Sequence, residues 1–193
     1  MVFIGCLGIF YFLVTLLETD IDIHVKQVHD INLGNKDYPP NFLYYLIVSF
    51  FSGFSTNLTI LYIVTILFLS AATAGKYFIS KKILCKLAYG DCEPNKPIII
   101  SFAILIMACF SIPDFIFLDR FYLGKFVANI WHNSTTIFLF PFAIWLFWEQ
   151  LEVLMSPNKL NRKKIILLSL LIIINGIIKP SFLLTFIPIS IVF

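Results

Sequence analysis

The chain has 193 residues, 60% of them hydrophobic and only 13% charged, with a mean hydropathy of +0.93 and 22 phenylalanines. Soluble domains are nearer half apolar and a quarter charged, so the composition excludes an ordinary water-soluble enzyme and predicts an all-α, polytopic membrane protein. The formal net charge of +3 decides little, because in such chains the side on which the basic residues lie matters more than their sum.

The first 17 residues, "MVFIGCLGIFYFLVTLL", carry no charge and lack the basic start and small-residue cleavage site of a secretory signal, so they read as a retained first span. Next comes "ETDIDIHVKQVHD", with four acids, two histidines and a lysine in 13 residues. Within it Ile21, Val25, Val28 and Ile31 recur at intervals of three and four, which predicts an amphipathic helix over 20–33 lying in the membrane interface. On that helix Asp20 and His24 are neighbours, as are Asp22 and Lys26. Acids here also complement the dipole of a helix N-terminus, and Asp22–Lys26 would be a surface ion pair of little worth.

A span needs roughly 20 apolar residues. Runs at 1–17, 57–79, 98–113, 137–154 and 165–178 come near that length, whereas 42–54, behind Pro39-Pro40, is short and reads as a second interfacial helix. The stretch 76–97 carries Lys76, Lys81, Lys82, Lys86 and Lys96 against Asp91 and Glu93, and 155–164 carries Lys159, Arg162, Lys163 and Lys164. The positive-inside rule places both in the cytoplasm and the acidic 18–41 and near-neutral 114–136 outside. Five spans satisfy that pattern, and the stretch from Lys179 is a further interfacial segment or the start of a sixth. The apolar final run predicts that these residues form one transmembrane domain, 1–193, at the N-terminal end of a longer protein.

This topology gathers the polar residues able to do chemistry on the outer face: Asp20, Asp22, His24, His29, Asp30, Lys36, Arg120, Lys125, His132, Asn133 and Lys179. The cytoplasmic side is left with little beyond lysines that set orientation, and the spans with almost no ionisable residue. A carboxylate at position 20 or 22, half desolvated where the first span leaves the bilayer, suits general-base work. In "GKFVANIWHNSTTIFLFPF", Trp131 fits the interfacial aromatic belt, and His132 and Asn133 could donate to a phosphate or sugar. Ser134 or Thr135 could instead simply cap the helix that follows. Arg120, Lys125 and Lys179 suit lipid head groups or the phosphate of a lipid-linked donor.

Four cysteines follow no zinc or redox spacing, and the six residues between Cys85 and Cys92 predict neither a metal site nor a disulfide. No resident metal or other cofactor is expected, although Asp20, Asp22 and His24 are of ligating type. Asn57 and Asn133 begin glycosylation-type triplets that recur by chance. Phosphate-binding, dinucleotide-binding, zinc-protease and serine-hydrolase motifs are all missing, as is any nucleic-acid-binding motif.

The order of these segments resembles the N-terminal part of the GT-C superfamily of polytopic glycosyltransferases, which includes bacterial aminoarabinose and mannosyl transferases. The resemblance rests on one span, the acidic "TDIDIHVKQVHD", the proline-led, Tyr-rich "YPPNFLYYLIVSFFSGFS" and a span ending in lysines, with "ANIWHNSTT" and "IIKPSFLLTFIP" further on. It implies sugar transfer from a polyprenyl-phosphate donor to an envelope lipid or glycan acceptor at the outer face of a bacterial plasma membrane. Asp20 or Asp22 would then be the base that deprotonates the acceptor. The short first loop departs from the family pattern, as does the absence of a large external domain. A non-enzymatic flippase or transporter for the same lipid class is the alternative.

Overall fold

A computed structural model describes residues 1–16, 19–90, 96–107, 133–156 and 160–192. These form eight helices: α1 (Val2–Leu16), α2 (Asp20–Asn32), α3 (Leu43–Phe51), α4 (Leu58–Tyr89), α5 (Pro97–Met107), α6 (Ser134–Met155), α7 (Arg162–Ile178) and α8 (Pro180–Val192). There is no strand among the described residues.

Helix α4 is the axis of the bundle, packing against α6, α5 and α1, and α7 joins through α6. Its close approach to α6 follows from the small residues of "SAATAG", 70–75. At Gly75 a side-chain carbon would stand 3.6 Å from Cβ of Pro141. Helix α4 also runs well past the apolar segment and absorbs most of the expected basic loop 76–97. Nothing from Lys76 to Tyr89 breaks a helix, and the stop comes at Gly90, whose φ of +71° suits glycine.

Among the described residues two helices, α4 and α6, are long and apolar enough to cross a membrane, and α1 with α2 would make a third if that bent pair were one span. At 1.5 Å per residue, α7 is only about 25 Å long. The outer surface of the bundle is oily: Ile63, Leu67 and Phe78 on α4, Phe147 on α6 and Ile173 on α7 are exposed, while Ser49, Thr65, Ser70, Ser134 and Asn175 are buried. That inversion of the soluble pattern suits a hydrocarbon environment.

The axes of α1 and α2 meet at 83°, so if α1 crosses the bilayer, α2 runs along its surface. The four periodic residues of α2 are indeed its buried face. That face does not lie on lipid as its amphipathicity suggested; it packs against α3, α4 and α6. Helix α3 does present apolar side chains outward, at Leu46, Phe50 and Phe51.

One cysteine expectation fails. Cys85 is disulfide-bonded, and since Cys6 is free and buried, its partner is outside the described residues.

Candidate functional site

Helix α2 begins with Thr19, whose hydroxyl accepts from the Ile21 amide at 3.3 Å, so Asp20 and Asp22 occupy a first turn where the dipole favours carboxylates. It ends at Gly34 with φ +76°, and the Asn35 amide donates back to the Asp30 carbonyl at 2.9 Å, a glycine-dependent stop. The Asn32 amide group then donates to the Ser55 carbonyl at 2.8 Å and ties α2 to the α3–α4 connection.

Asp20 and Asp22, two residues apart, point to opposite flanks of the helix. Asp22 accepts a hydrogen bond from the Tyr62 hydroxyl of α4 at 3.0 Å; Lys26 is exposed. Asp20 lies close enough to Lys179 for its charge to act on the ammonium. On Asp20's flank, His24 Nδ1 shares a hydrogen bond with the Tyr45 hydroxyl at 2.8 Å. Its ring stands edge-on to Tyr44, with centroids 5.9 Å apart.

Lys179, the residue between α7 and α8, donates to the Thr136 hydroxyl. Thr136 in turn donates from its hydroxyl and its amide to Asn133 Oδ1, both at 3.0 Å, and the Thr135 hydroxyl donates to the same oxygen at 2.8 Å. Asn133 itself is therefore the cap of α6, not Ser134 or Thr135. Asn57 likewise caps α4 by accepting from the Thr59 amide at 2.9 Å, so both triplet asparagines have a helix-starting role.

Burial sets the electrostatics of this end. Lys179 is pulled below the ordinary lysine range by desolvation, and the negative charge of Asp20 offsets part of the shift. Burial, with a smaller push from Tyr44, moves the Tyr45 hydroxyl up to about 12. Tyr44 is also raised by burial, and its hydroxyl lies beside those of Ser134 and Thr65, although none of the three makes a well-formed hydrogen bond among the described residues.

Five of the sequence candidates, Asp20, Asp22, His24, Asn133 and Lys179, thus stand at one end of the bundle. Arg120, Lys125 and His132 lie outside the described residues. Among the described residues no three His, Cys, Asp or Glu side chains gather as a metal would require. Tyr44, Tyr45, Tyr62 and Thr136 also belong to this end, and periodicity alone did not select them. The Tyr44-Tyr45 pair in an otherwise largely apolar helix was the one legible signal.

The opposite end overturns the expectation that it holds only orienting lysines. Lys164 pairs with Glu149 and, at 3.0 Å, with Glu152, and Lys86 pairs with Glu152 as well. The indole of Trp145 donates to Glu149 at 2.9 Å. Helix rise places Lys86 about 36 Å along α4 from Tyr62, and Glu152 about 24 Å along α6 from Thr136. The two polar ends are thus separated by about the thickness of a bilayer's hydrocarbon core.

No family model, no curated protein and no solved structure matches this chain.

Proposed function

We propose that this chain is part of a membrane glycosyltransferase that moves a sugar from a polyprenyl-phosphate donor to a lipid or glycan acceptor at one face of the membrane. The observation that carries the reading is the meeting of Asp20, Lys179 and the capped start of α6 at a single end of an apolar bundle. A carboxylate beside a partly desolvated ammonium provides a base for an acceptor hydroxyl and a cation for a departing phosphate. Asp20, on the flank shared with His24, takes the role of the base. Asp22, held by Tyr62, positions α2 against α4. His24, Asn133, Lys179 and, from the sequence, Arg120, Lys125 and His132 would contact the donor or acceptor.

In this reading α1, α4, α5, α6 and α7 form five spans, with α2 and α3 along the outer surface of a bacterial plasma membrane. Two orientation signals oppose each other. The basic stretches place the Lys86 end in the cytoplasm, whereas a disulfide at Cys85 belongs to an oxidising compartment. Labelling of single cysteines introduced at positions 22 and 82, from outside intact cells, decides between them. Reaction at position 82 alone inverts the topology and places the site on the cytoplasmic face.

The test of activity is replacement of Asp20 and of Asp22 by Asn, singly, in the full-length protein supplied with a polyprenyl-phosphate sugar. Loss of at least a hundredfold in turnover for Asp20→Asn, with a smaller loss for Asp22→Asn, supports the assignment. Unchanged turnover in Asp20→Asn removes it.

Transport of a lipid-linked sugar is the second reading, and Lys76 favours it. This lysine is buried in α4, 6% exposed, with its ammonium 4.6 Å from the centre of the Phe140 ring. Transporters carry such residues within their spans. Labelled donor crossing sealed vesicles without any covalent product would select this reading.

A further inference from the structure

A groove of about 300 Å³ opens between the later halves of α4 and α6, at the end of the bundle remote from Asp20. Ile83 and the indoles of Trp145 and Trp148 make its apolar wall, and Lys82, Glu149 and Glu152 are among its polar lining. Its two carboxylates are already answered, Glu152 by Lys86 and Lys164, and Glu149 by Lys164 and the Trp145 indole. Lys82 is exposed and makes no ion pair among the described residues.

Helix α7 starts at the same place with Arg162, Lys163 and Lys164 in its first turn. Cations at a helix N-terminus oppose the dipole and repel one another. The two glutamates neutralise Lys164, whereas Arg162 and Lys163 are exposed and unpaired among the described residues. Around a groove with an oily wall and an indole rim, Lys82, Lys86 and Lys164 therefore stand against two carboxylates, and the exposed Arg162 and Lys163 begin the helix that brings Lys164 there. The charge left over is positive, and what would complete it is an anion attached to something apolar.

We infer that this groove is a binding site for an anionic phospholipid. The phosphodiester sits at Lys82 under the influence of Arg162 and Lys163, with the first part of an acyl chain against Ile83 and Trp148. Lysine suits a phosphate as a compact point charge. Each cation near such a surface contributes on the order of 1 kcal/mol, or about fivefold in association. The inference does not depend on sugar transfer, nor on which leaflet the groove faces.

The test uses the full chain with Trp131→Phe, reconstituted in phosphatidylcholine vesicles, so that Trp145 and Trp148 report on the groove. Equal fractions of brominated phosphatidylglycerol or brominated phosphatidylcholine are added, and tryptophan quenching gives the relative association of the two lipids. Phosphatidylglycerol should be preferred at least fivefold, and Lys82→Gln should lower that preference about fivefold while far-ultraviolet circular dichroism stays unchanged. Equal quenching by both lipids in the Trp131→Phe protein overturns the inference. A preference that survives Lys82→Gln and the double change Arg162→Gln, Lys163→Gln also overturns it.

Discussion

Replacing Glu152 by Gln should destabilise the bundle far more than removing Lys86, although both break the same ion pair. Glu152 is 8% exposed and lies between two ammonium groups. The side chain of Lys164 is 15% exposed and that of Lys86 is 49% exposed. At 3.0 Å and an effective dielectric constant near 20, the Lys164–Glu152 attraction is on the order of 5 kcal/mol before desolvation is subtracted. Stripping one partner from a buried pair costs about 3–5 kcal/mol. Here Glu149 still answers Lys164 and the glutamine can still accept a hydrogen bond, so the expected loss for Glu152→Gln is about 2–3 kcal/mol. Lys86→Met leaves Glu152 paired with Lys164 and removes a cation that already reaches water, so its loss should stay within about 1 kcal/mol. Reversible unfolding in mixed detergent micelles measures both, together with the double variant. In the Glu152→Gln background, Lys86→Met should cost nothing further, because its partner has gone. Equal losses for the two single variants, or additive losses in the double, would refute the claim that a shared buried carboxylate holds this end together.

Four further outcomes follow from the geometry. Ile21→Ala removes a side chain with no exposed area from under α2 and should cost about 2–4 kcal/mol, with faster amide exchange across α2 than across α4. Tyr45→Phe deletes the hydroxyl bonded to His24 and should cost about 1 kcal/mol in unfolding free energy; no change would mean that the pair is not formed in solution. Gly75→Ala should be tolerated, since the added carbon meets Pro141 Cβ at 3.6 Å, an ordinary contact. Gly75→Leu should instead cost about 1–3 kcal/mol in the same assay by forcing α4 from α6. The Lys36 ammonium holds the Asp30 carboxyl below its usual range. Its contribution is therefore present above about pH 4 and is lost as pH falls through the lower folded value. Lys36→Met should bring the Asp30 titration, followed by NMR, back to the ordinary range.

Much of the helical framework was legible in the sequence. The apolar runs became α1, α4, α6 and α7, the proline-led run became α3, and the spacing of Ile21, Val25, Val28 and Ile31 named the buried face of α2 without error. Helix periodicity and capping are local, so neighbouring residues suffice to read them. What that face packs against was not legible, because an oily stripe suits lipid and protein equally well. The separation of Asp20 from Asp22 also needed the fold: both are acids of one helical turn, and only the positions of Lys179 and Tyr62 direct them to different partners. The charged end shows the same limit. Glu149, Glu152, Lys86 and Lys164 lie on three helices; the sequence marked the two lysines only as orienting charges and left the two glutamates unremarked within the run 137–154. Their pairing depends on α4, α6 and α7 meeting at one level, which is set by helix length and by the close approach at Gly75 and Pro141. Local chemistry thus decided where the chain turns helical, and long-range packing decided which charges meet.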